Sequence, residues 1–378
     1  MKYTIIGAGI GGLTTAVAFE QKGIDYQIFE RTPEIKEVGA GIWLSPNSLQ
    51  IIESLGLLNK IQLAGNTLEQ INIAKKDLNP ISATNQDFVK KQFGYTTTSI
   101  HRAELQQILL SQIPSNKIEL GKDFKNYSEL NTGKIKVEFE DNTSTETDYL
   151  IGADGINSKV RKQLFPTSEI RYAGQTCWRG VSDFEMPKAY AQTGMELWGD
   201  QVRFGLSKIA DGKVYWFAVA KAIQNGKDDK TKIKKQLLDT YKNYDKLVTD
   251  IIKHTADDKI LRNDISDLKP LEKWHKGNIC LIGDAGHATT PNMGQGGAQA
   301  IEDAYYLSNL IEQNPNKNVF DSFQNKRVKK VNNIVKTSWQ IGKMAHWKYG
   351  TGLRNFLLKN TPTKMMYKKM MEVYGLVE

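Results

Sequence analysis

Four groups of residues in this chain are spaced to do chemistry. The first is Gly7-Ala8-Gly9-Ile10-Gly11-Gly12, which follows a β-rich run and opens a helical one, with Glu30 eighteen residues past Gly12. In such a strand-turn-helix Gly7 allows the tight turn, Gly9 lets the backbone approach a pyrophosphate at the positive helix end, and Gly12 allows close packing. An acid closing the next strand accepts from ribose hydroxyls. The second group is Gly152-Ala153-Asp154-Gly155, with Asn157, Ser158 and Arg161 behind it. The third is Gly283-Asp284-Ala285-Gly286-His287, then Pro291, Gly294-Gln295-Gly296-Gly297 and Glu302-Asp303-Ala304. A carboxylate at a strand end can hold ribose, and glycines at a helix start expose backbone N–H groups to an anionic or polar acceptor. A single dinucleotide site needs only the first motif, so three glycine-acid stations imply a larger ligand threaded along the chain. The fourth group is Trp178, Arg179, Arg203, Tyr215, Trp216 and Phe217, all in strand-like segments. An arginine there can hold a carboxylate or enolate by paired hydrogen bonds, and a tyrosine can orient a phenol or help deprotonate it. Aromatics in such strands are more often simply sheet core. His287 reads as a packing histidine rather than a base, and no metal-ligand cluster or Ser/His/Asp set is recognisable.

The elements that must position these residues follow from periodicity. Lys2 to Gly7, Ile10 to Lys22 and Asp25 to Glu30 read as strand, helix and strand, a βαβ unit. Ser45 to Leu58 and Arg102 to Ile113 read as helices, and Ile135 to Glu140 and Tyr149 to Ala153 as strands flanking the turn-prone Asp141-Asn142. From Arg171 to Val219 the texture changes to alternating segments containing Trp and Gly, which predicts an antiparallel sheet with one face toward a cavity. Gln224 to Lys269 reads as a charged helical stretch, Asn278 to Ile282 as a buried strand, and Gly294 onward as a helix.

Composition bounds the remaining choices. The 378 residues are 40% hydrophobic and 25% charged, a globular balance long enough for two domains. The two cysteines, Cys177 and Cys280, cannot build a disulfide framework, so a reducing compartment, the cytoplasm, is expected. Tyr3 to Phe19 is apolar but carries four glycines and no following cleavage site, so it reads as strand and helix rather than a signal peptide. No other run approaches the roughly 18 to 20 apolar residues of a membrane span. The net charge of +9 is a C-terminal property. Residues 322 to 371 hold twelve Lys or Arg and no acid, which leaves 39 basic against 42 acidic residues elsewhere. Nucleic-acid binding is therefore not expected. The basic segment reads first as a solvated helical cap, and second, with Trp339, Trp347, Phe356 and Met365, Met366, Met370 and Met371 among its lysines, as a weak peripheral membrane contact.

Taken together, GAGIGG, GADGINSKVR and GDAGHATTPNMGQGGAQAIEDA resemble the motifs of the single-component FAD-dependent aromatic hydroxylases, the para-hydroxybenzoate hydroxylase superfamily, in order and over nearly the whole chain. GAGIWLSPNSLQIIESLGL from Gly39 to Leu57 and His101-Arg102-Ala103-Glu104-Leu105 are similar to the subgroup of salicylate, 3-hydroxybenzoate and urate hydroxylases and zeaxanthin epoxidase. The resemblance implies an α/β fold: a Rossmann-like FAD-binding domain (1–70, 99–170 and 271–340) with an inserted, mainly antiparallel substrate domain (71–98 and 171–270) and a basic C-terminal helical segment (341–378). It implies FAD as cofactor, NADPH or NADH as co-substrate, O2, and a flavin C4a-hydroperoxide that hydroxylates or epoxidises a small electron-rich substrate. Gly7, Gly9, Gly12, Glu30 and Arg31 would hold the ADP half of FAD. Arg102 would lie beside the flavin chain, Asp284 at the ribityl or pyrophosphate region, and Gly294, Gln295, Gly296 and Gly297 at the pyrimidine edge. Asp154 and Arg161 belong to the motif associated with FAD and NAD(P)H. Arg203 and Tyr215 would be catalytic, and Trp178, Arg179, Trp216 and Phe217 would line the substrate.

The motifs describe cofactor and not substrate, so an antibiotic- or polyene-modifying monooxygenase, or a flavin-dependent reductase or oxidase without oxygen insertion, remain alternatives. A non-catalytic FAD- or NAD-binding protein would not need Arg102, Asp154 and Asp284 intact. For Arg203, strand alternation leaves solvent or cavity as its direction. The resemblance turns it inward, where a buried guanidinium requires an anionic or carbonyl partner that an ionised substrate would supply.

Overall fold

The strand Lys2–Ile6 is buried along its length after Lys2 and forms the middle of a six-stranded sheet. The order is His275–Lys276, Ile279–Leu281, Tyr149–Gly152, Lys2–Ile6, Asp25–Glu30 and Ile118–Leu120, parallel throughout except for the two-residue first strand. A computed structural model describes residues 1–35 and 40–376, apart from the Asn85 side chain. Gly39, which opens the GAGIWL segment, and the last two residues of the basic segment lie outside them.

Near-continuous apolar strands are what a parallel sheet covered on both faces requires. On one face Tyr3, Ile5 and Ile28 pack with Leu13 and Val17 of the helix Ile10–Gln21 and with Ile301 and Leu307 of the helix Gly296–Gln313. On the other, Ile6, Phe29, Leu150 and Leu281 meet Phe124, Val137 and Phe139 of an antiparallel meander made by Phe124–Glu129, Ile135–Phe139 and Ser144–Thr147.

A second sheet has seven strands, in the order Leu261–Leu268, Ile170–Asp183, Lys213–Lys221, Val202–Ala210, Thr193–Trp198, Gln70–Ala74 and Pro80–Asn85. All neighbours are antiparallel except Thr193–Trp198 and Gln70–Ala74. Its outer face packs on the helices Ile233–Thr240 and Lys246–Lys253 through Phe204, Leu206, Trp216, Leu237, Val248 and Ile251. Between the two large sheets stand three short strands, Gly41–Leu44, Thr97–His101 and Gly65–Leu68. The chain ends in the helices Phe320–Ala345, Thr351–Lys359 and Thr363–Tyr374.

Two expected helices differ. The one read from Ser45 to Leu58 is two, Pro46–Ser54 and Leu58–Ala64, separated at Gly56, whose φ of +69° leaves the helical region. The charged stretch 224–269 ends not in helix but in the edge strand Leu261–Leu268. There Asp267 accepts two hydrogen bonds from Arg171 (2.9 and 2.6 Å) and Asp264 accepts one from Thr176 (2.8 Å) across the strand pair.

Candidate cofactor and substrate site

The first glycine motif is shaped by sterics at two positions. Gly7 has φ of +107°, and a Cβ there would stand 2.5 Å from the Ala153 carbonyl oxygen; a Cβ on Gly12 would stand 2.0 Å from that of Gly7. At Gly9 a Cβ would meet nothing within 4 Å, so the space above it is open. The helix that follows has no side-chain cap and no acid in its first turn, which leaves its N-terminal amides facing that space. Glu30 anchors the loop: Ala8 N–H donates to Oε2 at 2.8 Å, and the Thr32 N–H and hydroxyl donate to Oε1 at 3.0 Å each. Arg31 beside it is exposed.

At the opposite end of the cleft Asp284 is exposed and has no hydrogen-bond partner among the described residues, while a Cβ on Gly296 would lie 3.9 Å from its Oδ1. Gly294 sits at φ of +63° with open space at its Cβ position, and the helix Gly296–Gln313 again lacks a side-chain cap and a first-turn acid. Arg102 opens the helix Arg102–Leu110. Its guanidinium is accessible yet enclosed by protein. Desolvation lowers its pKa, the neighbouring Asp284 and Tyr215 oppose the shift, and Arg179 adds to it. Arg102, Asp284, Arg179 and Tyr215 thus lie close enough to feel one another's charge. Open space over Gly9, two uncapped helix starts, an unspent carboxylate and an enclosed guanidinium fit an extended dinucleotide with two phosphates and a polar ring.

Behind the cleft lies a buried polar network that gives several motif residues another task. His287 and Asp303 are joined at 2.6 Å, and Asp303 also accepts from Gly283 N–H (2.9 Å) and Arg327 Nε (2.9 Å). Burial alone would raise the Asp303 pKa, but His287 and Arg327 hold it below the ordinary carboxylate value. Arg327 also pairs with Glu302, which accepts from Lys330 and Asn47. Gln295 is 1% exposed and turned inward: its Nε2 donates to Ser45 Oγ (3.0 Å), while its Oε1 accepts from Asn47 and Gln299. Only its backbone is left for a ligand. Asp154 is committed as well, accepting from Ser158 Oγ (2.5 Å) and from the N–H groups of Lys159 (2.7 Å) and Val160 (3.2 Å) at the start of the helix Lys159–Leu164. Buried Arg161 donates to the carbonyls of Ala285 (3.0 Å) and Ile156 (2.6 Å), tying the second motif to the third.

Strand register sorts the six substrate-side residues. Cys177, Val219 and Arg203 stand in one cross-strand row, Arg179, Phe217 and Gly205 in the next, and Val181, Tyr215 and Ser207 in the third, all on one face. That face meets the short strands. Trp43 Nε1 donates to Ser207 Oγ (2.9 Å), and Tyr215 packs so closely that a Cβ on Gly41 would lie 2.3 Å from its ring. Trp178 and Trp216 fall on the opposite face, and the expectation that they line the substrate is corrected. Trp216 is 0% exposed, stacks on Phe204 at 5.6 Å and donates to Thr255 Oγ1 (2.8 Å); Trp178 donates to Asp228 (2.6 Å). A period of two separates them from their sequence neighbours Arg179, Tyr215 and Phe217.

Arg203 is inward and 2% exposed, but its anionic partner belongs to the chain. Nη1 donates to Glu196 Oε1 (2.8 Å), and Nη2 to Asn292 Oδ1 (2.9 Å) and Gln175 Oε1 (3.3 Å). The expectation that an ionised substrate must neutralise it is thereby removed. Its Nε, like that of Arg179, is buried without a hydrogen-bond partner among the described residues. Tyr215 is a poor base: burial pushes its pKa well above the ordinary phenol value, so the hydroxyl keeps its proton at neutral pH. Gln175, Glu196 and Asn292 were not singled out in the sequence. For Glu196 the signal was its place on the alternating segment Met195 to Trp198, one strand from Arg203.

Residues 1–338 match a family model described as an FAD binding domain. The chain is 35% identical over 344 residues to the aurachin C monooxygenase/isomerase of Stigmatella aurantiaca, covering 91% of this chain and 89% of that protein. It is 30% identical over 367 residues to the 2-heptyl-3-hydroxy-4(1H)-quinolone synthase of Pseudomonas aeruginosa, covering 96% and 94%. Klebsiella pneumoniae HpxO, solved in complex with FAD and uric acid, is similar with a TM-score of 0.90 and 27% identity, over 99% of this chain and 96% of that one.

Proposed function

Since the chain belongs to the FAD-binding-domain family of flavin-dependent monooxygenases, we propose that its substrate is a neutral N-heteroaromatic ketone of the 4-quinolone class, hydroxylated on a ring carbon. The enzyme is an FAD-dependent monooxygenase, with the NAD(P)H dependence typical of its family. Bound FAD supplies the redox chemistry by which one atom of O2 reaches the substrate. The chain's own residues bind and orient. Gly7, Gly9, Gly12, Glu30, Arg102, Asp284 and the Gly294 to Gly297 backbone would hold the cofactor, while Arg179, Tyr215 and Phe217 would face the substrate, with Arg203 buried behind them on the same sheet face.

The observation that carries the reading is the Glu196–Arg203 pair. It spends the Arg203 charge inside the chain and leaves, on the same sheet face, a carboxylate that is 20% exposed. A ring bearing an N–H can donate to that carboxylate. A carboxylate or urate anion would instead meet Glu196 with like charge. The Tyr215 hydroxyl, fully protonated, adds a donor, and the Phe217 ring, lying across Gly205, forms an apolar wall. Support also comes from the relative whose name specifies a 3-hydroxy-4-quinolone product. Two free cysteines, Cys177 and Cys280, agree with a cytoplasmic setting.

Stopped-flow measurement of NAD(P)H-driven flavin reduction tests this. A 2-alkyl-4-quinolone should accelerate reduction and be consumed with gain of one oxygen atom, while urate and salicylate should do neither. Coupled oxygenation of the two anions, with the quinolone inert, would overturn the assignment.

A further inference from the structure

The helix Thr351–Lys359 is polarised the wrong way round for a soluble surface. Its one buried residue is Arg354, 2% exposed, which donates to the Ala345 carbonyl (3.1 Å) and stacks over Trp198 with its guanidinium carbon 4.9 Å from the ring centroid. Outward it presents Leu353, Phe356 and Leu357, at i, i+3 and i+4 on one face, 61%, 63% and 56% exposed. Trp347 and Tyr349 in the preceding turn and Met365 on the next helix are 41%, 78% and 51% exposed. Scattered single apolar residues need no explanation, but a helix that buries its arginine and exposes a three-residue apolar face does.

Charge decides what covers it. Lys348 just before this helix, Lys359 at its end, and Lys364, Lys368 and Lys369 on the helix that follows are exposed, and none is ion-paired among the described residues. The basic residues that are neutralised sit elsewhere: Arg327 and Lys330 are paired with Glu302 in the core. Unpaired lysines framing aromatic and aliphatic side chains complement a surface that is negative at its boundary and apolar beneath.

We propose that the helices Thr351–Lys359 and Thr363–Tyr374 form a peripheral docking surface for anionic phospholipid membrane, with Trp347, Leu353, Phe356 and Leu357 entering the headgroup boundary and the five lysines contacting lipid phosphate. No helix among the described residues is long and apolar enough to span a membrane, so the contact is interfacial. It stands on these surface residues alone, independently of which substrate is oxygenated.

The test is co-sedimentation of the FAD-loaded protein with vesicles of phosphatidylcholine alone or mixed with phosphatidylglycerol. The protein should pellet with the mixed vesicles at low salt, at least tenfold more than with phosphatidylcholine, and be largely released at high salt. L353D/F356D should lose that partitioning tenfold or more while keeping its FAD absorbance and melting temperature. Replacing Lys364, Lys368 and Lys369 by Gln should weaken it by about fivefold per lysine. Wild-type protein remaining in the supernatant with both vesicles would overturn the proposal, as would equal pelleting of wild type and L353D/F356D. A concentration-dependent dimer abolished by L353D/F356D, without vesicle binding, would overturn it in favour of a second copy of the chain.

Discussion

At the scale of single residues, the site is organised by which charges are spent inside the chain. Asp284 is unspent, so Asp284→Ala should fold normally and lose cofactor. A hydrogen bond to a charged group is worth about 1.5–3 kcal/mol, so FAD affinity should fall roughly tenfold to 150-fold, read by fluorescence titration of the apoprotein. Glu196 is spent on Arg203, and Glu196→Gln should act in the opposite sense. Leaving a 2% exposed guanidinium with amide partners alone should lower stability by about 1–3 kcal/mol in thermal unfolding, the 20% exposure of Glu196 keeping the loss below that of a fully buried pair. The same variant should bind urate or salicylate more tightly than wild type does, since the like charge is gone. Unchanged stability and unchanged anion affinity would show that Arg203 does not depend on Glu196.

At the scale of elements, the first βαβ unit separates folding from binding. A Cβ at Gly12 collides with the Gly7 carbonyl, whereas one at Gly9 points into open space. Gly12→Ala should therefore yield little folded protein, and Gly9→Val a folded, colourless apoprotein; circular dichroism beside flavin absorbance distinguishes them. The end of the long helix Phe320–Ala345 carries a pH effect. Burial first, then the nearby Arg203 charge, lowers the His346 pKa from 6.5 to about 4. Between those values the unfolded chain binds a proton that the folded chain refuses. The stability is thus fully present above about pH 6.5 and lost as pH falls, by on the order of 3 kcal/mol near pH 4. His346→Gln should flatten the fall in melting temperature over that window. These elements were not equally legible in the sequence. The glycine motifs were, because tight turns and helix starts are local requirements. The strand Leu261–Leu268 was not: Arg262, Asn263, Asp264 and Asp267 hide its alternation, and their partners Arg171 and Thr176 lie about 90 residues away across the sheet. Trp178 and Trp216 were assigned to the site because the strand was recognised but not which of its faces turned inward, a difference of one residue in register.

At the scale of the whole molecule, two sheets with opposite habits meet at one cleft. The parallel sheet, covered on both faces, brings its strand ends and two uncapped helices to the cofactor side. The seven-stranded sheet, backed by helices on one face, meets the short strands with the other, the face proposed to receive the substrate. The C-terminal basic run, a single feature in the sequence, divides in three dimensions into core ion pairs at Arg327 and Lys330 and an outward lysine-rich surface beyond Ala345. The proposed reaction inserts one atom of O2 into a neutral heteroaromatic ring. Incubation of the FAD-loaded protein with NAD(P)H, a 2-alkyl-4-quinolone and isotopically heavy O2 tests it most directly, with mass spectrometry of the product. A ring-hydroxylated quinolone carrying one heavy oxygen is the predicted result. Consumption of NAD(P)H that yields only hydrogen peroxide, or a product whose new oxygen derives from water, would contradict it.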